Sequence, residues 1–306
     1  MRRRASQARL PLALGALALA AGTGACGVCG ALQSARGEGE KTIDRVPPEL
    51  PADFGGRGAV GVAVFSKTQG YRHEEAIPAA QQLLREIAAR RGWQLFETEN
   101  AALFAPELLA RVRVVFGNNN TGDNLSEEQE AAFRSWIEEG GGFVGVHGAG
   151  GTSYEFWDWY KDQLLGARFT AHPMFPQFQR AVLRIEDRTH PATRHLGRRW
   201  EREDEWYSFE ASPRARGVQV LASLDESSYS PRQPGRDLRM GDHPIVWCHC
   251  VGKGRSLFSA LGHKAEYYRE PEHRGLLEGA LAWAAGLEGE CAHPIAPAPP
   301  RALPAP

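Results

Sequence analysis

The residues best placed for chemistry in this chain are histidines at the ends of short apolar runs. The clearest is His147, in Gly140–Ala149 (GGGFVGVHGA): a glycine turn, a short buried strand, then a small-residue elbow. In many α/β enzymes that elbow carries a Ser or Cys nucleophile. An imidazole there supports different work: it can take a proton, hydrogen-bond a substrate hydroxyl or ligate a metal. His73 closes the loop after the apolar run Ala59–Ser66, and Asn118 lies in the Gly-Asn-Asn-Asn-Thr-Gly loop after Val112–Phe116. His263 follows the run Gly254–Leu261. The turn Asp204-Glu205-Trp206-Tyr207 supplies carboxylates for acid–base work, with aromatics that either stack on a sugar ring or fill the core. His172 and His243 each precede a proline, where an imidazole serves a ligand or simply a buried carbonyl.

His73, His147 and His263, with Glu205, are the residue types of a histidine–carboxylate metal site. No HExxH-like local spacing backs one, so a divalent ion stays open and no cofactor is assigned. Cys248-His249-Cys250 has no second Cys/His pair to complete a zinc site, and its cysteines read as small buried hydrophobes. Neither GxGxxG after the first strand nor GxxxxGK[ST] is present, which disfavours nucleotide binding. The 36 basic and 37 acidic residues leave a net charge of −1, with no basic excess to neutralise phosphates. Nucleic acid is therefore excluded as an expected partner.

The elements that must hold these residues follow from periodicity. Ala59–Ser66, Gln94–Glu97, Val112–Phe116 and Phe143–Val146 read as strands. Glu74–Arg91 has helical spacing and stops at Gly92. Ser126-Glu127-Glu128-Gln129 is a capping-box signature opening a helix to Glu139. Apolar strands alternating with helices predict a parallel sheet covered on both faces. Ala181–Ile185, Val218–Ser223, Ile245–His249 and Gly254–Leu261 read as further strands, and Pro271–Ala285 as a closing helix. Ligands of such sheets bind beyond the carboxyl ends of the strands, where the loops above deliver their histidines.

The ends differ from the body. A basic start and the apolar run LPLALGALALAAG over residues 1–25 read as an export signal. Cys26 after Thr23-Gly24-Ala25 is a candidate for lipid attachment. Residues 26–56 read as a linker, 57–288 as one domain and 289–306 as a disordered Pro/Ala-rich tail. The expected location is periplasmic or membrane-anchored, with membrane contact only through such a lipid.

Taken together, VFSKTQGYRH, LSEEQEAAFRSWIEEGGGFVGVHGAG, LLGARFTAHP, HPATRHL, DEWYSF, GDHPIVWCHCVGKGRSLFSALGHKAEYY and LLEGALAWAAG resemble the ThuA-like (trehalose-utilisation) family. The resemblance implies a flavodoxin-like three-layer α/β sandwich with a mostly parallel central sheet, similar to class I glutamine amidotransferases. In those relatives the elbow residue is Cys, within a Cys-His-Glu arrangement. Here it is His147, so the resemblance implies the fold without amidotransferase activity. It also implies metabolism of trehalose-like disaccharides or their 3-keto derivatives. The family's pattern falls on His73, His147, His172, Asp204, Glu205, His243 and His263. The expectation is acid–base chemistry on a glycoside (hydrolysis, elimination or isomerisation), with His147 or His73 as base and Glu205 or Asp204 as acid or hydroxyl anchor. Asn118, His172, Trp206, Tyr207, His243 and His263 would line the ligand. The alternatives are a non-catalytic carbohydrate-binding module and a metal-dependent hydrolase using the same histidines.

Overall fold

A computed structural model describes residues 41–151 and 157–298 of the chain. Nine strands form one sheet: β1 (Gly61–Phe65), β2 (Gln94–Thr98), β3 (Val114–Asn118), β4 (Gly142–Val146), β5 (Phe178–Ile185), β6 (Arg199–Glu205), β7 (Gln219–Leu224), β8 (Pro244–Val251) and β9 (Gly254–Ser259). Their order is β2-β1-β3-β4-β9-β8-β7-β5-β6. The strands from β2 to β9 in that order pair in parallel, and the remainder continue antiparallel. Every residue of β1, β3 and β4 is buried, as continuous apolar strands covered on both faces must be. The fold is the flavodoxin-like α/β sandwich with a parallel core.

Helices α1 (Ala76–Arg91) and α3 (Pro271–Ala284) lie side by side, linked by Arg90–Glu278 and Arg274–Glu86 ion pairs. Helix α2 (Glu127–Glu138) covers the opposite face, where its Phe133 ring meets Phe143 of β4 at 6.0 Å. Alternation along β4 explains the division. Phe143 points toward α2, while a Cβ on the neighbouring Gly142 would come within 2.3 Å of the Ala284 carbonyl in α3. The glycines before the elbow thus let a helix press onto strand backbone. Both caps read from the sequence form: Ser126 and Gln129 exchange the two capping-box bonds, and Gly92 ends α1 at φ 66°.

Strand β6 has no counterpart in the sequence reading. Its residues, RWEREDE, are nearly all charged, yet they alternate, with Trp200, Arg202 and Asp204 buried. Buried charges hid the period. Segments read as linker and tail are also seated on the domain. Within 41–56, Asp44 accepts from Lys67 Nζ and the Ala101 amide, and Phe54 is buried. In the tail, Cys291 forms a disulfide with Cys250, and Pro294 bridges the end of β8. Cys250 is therefore half of a cross-link rather than a small hydrophobe, whereas Cys248 is buried and free. The leader over 1–25 and Cys26 lie outside the described residues.

Two buried histidines belong to this scaffold. His249 donates from Nε2 to the Gln163 carbonyl at 2.8 Å, and His190 packs against Cys248 and Trp283. Burial pushes both imidazoles down to about 4. The unfolded chain, with imidazoles near 6.5, takes up these protons first as pH falls. Their contribution is thus complete above about pH 6.5 and lost on descending toward pH 4, on the order of 3 kcal/mol for each. Denaturant melts at pH 7.5 and pH 5 are expected to show a clear loss of stability at the lower pH; equal midpoints would contradict this. The Cys250–Cys291 bond closes a loop with a sequence separation of 41 residues. Cys291→Ser is expected to lower unfolding free energy by roughly 2–4 kcal/mol, read by the same melts without reductant.

Candidate functional site

Three loops at the carboxyl ends of parallel strands, those after β1, β4 and β9, and the segment after Phe169–Ala171 meet at one buried carboxylate. Glu205, the last residue of β6, is 2% exposed. Its Oε2 lies 3.1 Å from Nδ1 of His263, in the loop after β9, and 3.3 Å from Nε2 of His147 at the end of β4. Its Oε1 lies 3.2 Å from Nδ1 of His172 and accepts from Gln177 Nε2 at 2.5 Å. His73, just before α1, sets its ring 4.8 Å from that of His147 and 4.7 Å from that of His263. One ligand atom from each of His73, His147 and His263 falls within 4.8 Å of the others.

The elbow holds His147 in the left-handed region at φ 41°, uncommon for a residue with a Cβ. Its Nδ1 stands 2.8 Å from the Ala260 carbonyl, which accepts only, so that nitrogen carries a proton. Nε2 faces His263 Nδ1 at 3.0 Å and receives the Tyr207 hydroxyl at 3.2 Å. The Tyr207 ring packs against the imidazole, centroids 4.4 Å apart.

Electrostatics follow from burial and these neighbours. Burial raises the Glu205 carboxyl, but hydrogen bonds and charge from His147 and His263 outweigh it and hold the group well below the usual carboxylate range. Burial, then the neighbouring His147 and His263, keep the His73 imidazole well below its ordinary value. Burial likewise lowers His172, and burial with the nearby Glu205 lifts the Tyr207 phenol far above its normal range. The centre thus holds an ionised carboxylate, a protonated phenol and, in His73 and His172, imidazoles of lowered basicity.

The other residues singled out from the sequence divide. Asp204 sits behind the centre. It accepts from the amides of Gly262 at 2.9 Å, His263 at 3.3 Å and Glu205 at 2.9 Å, and pairs with buried Arg202 at 3.0 Å. Those contacts fix the loop that carries His263. Asn118 donates to Ser66 Oγ and the Ile77 carbonyl, bracing β1 and α1, while its neighbour Asn119 accepts from the Gly148 amide beneath the elbow. His243 lies between Glu226 and the Tyr207 carbonyl, so it positions Tyr207 from behind. Trp206 is fully buried and donates to the Gln179 carbonyl. Three groups at the centre escaped the sequence reading: Tyr71, Gln177 and Phe178. Tyr71 and Phe175 are 59% and 71% exposed. Tyr71 lies edge-on to His73 at 4.8 Å, and Phe178 packs on His263 at 4.9 Å. An exposed aromatic two residues from a candidate histidine, as in Tyr71-Arg72-His73, was the available signal.

An open α/β sheet with its polar centre beyond the parallel strand ends defines a flavodoxin-like sandwich whose elbow bears His in place of a nucleophile. Residues 61–284 match the ThuA family, described as trehalose utilisation, and the chain belongs to that family. A ThuA-like protein from Bacteroides uniformis superposes with a TM-score of 0.64 at 24% identity, covering 78% of this chain and 95% of that one. Another from Parabacteroides merdae gives 0.57 at 16% identity, covering 74% and 90%. These likenesses carry the fold. A comparison with curated proteins gives no match.

Removing Asp204 would strip the His263 loop of its acceptor and leave Arg202, itself 2% exposed, with Glu270 at 3.4 Å as its one carboxylate partner among the described residues. Asp204→Ala is expected to cost about 3–5 kcal/mol in chemical unfolding. A change under 1 kcal/mol would show that the pair does not hold this loop.

Proposed function

We propose that this chain acts on a disaccharide, a glycoside or the 3-keto derivative of one, by proton transfer without a covalent enzyme intermediate. The observation that carries the reading is the meeting of Glu205 with His73, His147, His172 and His263 at the ligand edge of a ThuA-family sheet. The family's trehalose-utilisation description supports the substrate class. Tyr71, edge-on to His73, and the exposed Phe175, which lies between His172 and Gln177 in the chain, would offer apolar faces to a sugar ring whose hydroxyls reach the polar centre.

A 3-keto group acidifies the hydrogen on the adjacent C2. Removal of that proton sends the electron pair into a C1–C2 double bond and expels the glycosidic oxygen from C1, which takes up a proton as it leaves. The step needs a base and a proton donor and no nucleophile, which suits an elbow occupied by His147. His172 is the base in this scheme: burial keeps its imidazole neutral and ready to accept. Glu205 orients that imidazole, and the Tyr207 phenol is a fixed proton donor beside the centre.

On this reading the protein works outside the cytoplasm, in the periplasm or at the membrane through Cys26. The basic–apolar start of the sequence supports export, and the Cys250–Cys291 bond suits an oxidising compartment.

Turnover of a panel of disaccharides, glycosides and their 3-keto derivatives tests the reading. His172→Ala and Glu205→Gln are expected to lower kcat about 10²- to 10⁴-fold. Tyr71→Ala and Phe175→Ala would chiefly raise KM, roughly three- to tenfold. Sugar binding with no turnover of any member would replace this reading with a carbohydrate-binding module.

A further inference from the structure

We infer that His147, His263 and Glu205, with His73 as fourth ligand, form a binding site for one divalent first-row transition-metal ion. The inference deepens the functional reading above and rests on it only for where the substrate lies, not for the ion. The first argument is the spacing of donor atoms. Nε2 of His147, Nδ1 of His263 and Oε2 of Glu205 form a triangle with sides of 3.0, 3.1 and 3.3 Å. Donors held about 2.1 Å from an ion stand roughly 3.0 Å apart on an octahedron and roughly 3.4 Å apart on a tetrahedron. The triangle has the dimensions of one face of a coordination shell.

The second argument is proton accounting. With its Nδ1–H given to the Ala260 carbonyl, the neutral form of His147, the form that ligates a metal, offers only a lone pair at Nε2. Glu205 Oε2 is an acceptor as well. A single proton on His263 Nδ1 would have to serve both, at 3.0 and 3.1 Å. One cation at the centre of the triangle satisfies all three lone pairs at once. The third is His73: it is 5% exposed, and its Nδ1 has no hydrogen-bond partner among the described residues. A buried ring nitrogen left unpaired beside two other imidazoles is what an additional ligand looks like before it is engaged.

The surroundings also fit. A ligating imidazole is ordinarily held through its other nitrogen by a carbonyl or carboxylate, which is the Ala260 contact of His147. Gln177 and His172 hold the second oxygen of Glu205, fixing the carboxylate's orientation. Three imidazoles and one carboxylate favour zinc, iron, cobalt or manganese over the oxygen-seeking magnesium and calcium. In the functional reading the ion would polarise a substrate oxygen.

The test uses the full chain, purified without a histidine tag, stripped with chelator and titrated with Zn²⁺ or Co²⁺. The expected result is one equivalent bound, a rise in melting temperature with Zn²⁺, and visible Co²⁺ absorption of a site with nitrogen donors. His147→Ala and His263→Ala are expected to weaken binding at least 100-fold, and Gln177→Ala roughly tenfold. His263→Asn and Glu205→Gln, closer in shape, guard against variants that do not fold, with circular dichroism as the check. No stoichiometric binding by folded wild-type protein, or binding unchanged in folded variants, overturns the site. The functional reading fails separately: one bound ion without turnover of any sugar supports the metal and removes the chemistry, while sugar turnover by folded protein that binds no stoichiometric metal does the reverse.

Discussion

The site is organised by the cost of burying one carboxylate. An ionised Glu205 removed from water would be several kcal/mol unfavourable unless its oxygens were met from every side. Among the described residues no Lys or Arg side chain is paired with it; its ion-pair contacts are to His147, His172 and His263. Each comes from a different loop, so satisfying Glu205 fixes the relative positions of the elbow, the loop after β9 and the segment after Phe169–Ala171. The sheet brings those loops to one edge, and the carboxylate decides their final arrangement. The elbow's strain at His147 is tolerable in that light, because the Ala260 carbonyl and His263 hold the ring from both ends.

Below this centre lies a second charged layer with a different job. Asp204 and Arg202 touch the backbone and one another, and the Arg202 guanidinium stacks over Trp200 and Tyr267 at 4.8 and 5.0 Å. Adjacent carboxylates on one strand thus face opposite ways, as a pleat requires. Asp204 supports the loop from behind and Glu205 reaches the site. A comparable division separates His243, which braces Tyr207, from His172, which borders the centre.

The parallel half of the fold was legible because its strands are uninterrupted apolar runs set off by glycines and a capping box. Its elbow residue, His147, was legible for the same reason. The antiparallel half was harder. Strand β6 buries Arg and Asp where an apolar residue would have marked the inward face, so the strand carrying Glu205 was invisible while the residue itself stood out. The sequence also could not separate Asp204 from Glu205, since which face a residue takes depends on the strand's register. Tyr71, Gln177 and Phe178 reach the centre through chain paths that no local spacing records. The Cys250–Cys291 pair, in a strand and a proline-rich tail, likewise has no local pattern to betray it.

The physical edges of the folded body do not coincide with the edges of its family likeness. That likeness runs from 61 to 284, yet Asp44 and Phe54 before it, and Cys291 to Ala296 after it, are tied to strands and loops inside. Arg216 reaches the Ala296 carbonyl, and the Ala296 amide returns to Arg216. A protein cut at the recognisable boundaries would lose one partner of a covalent bond and uncover the ring pocket of Phe54. The smallest self-sufficient unit of this chain is therefore set by its fasteners rather than by its motifs.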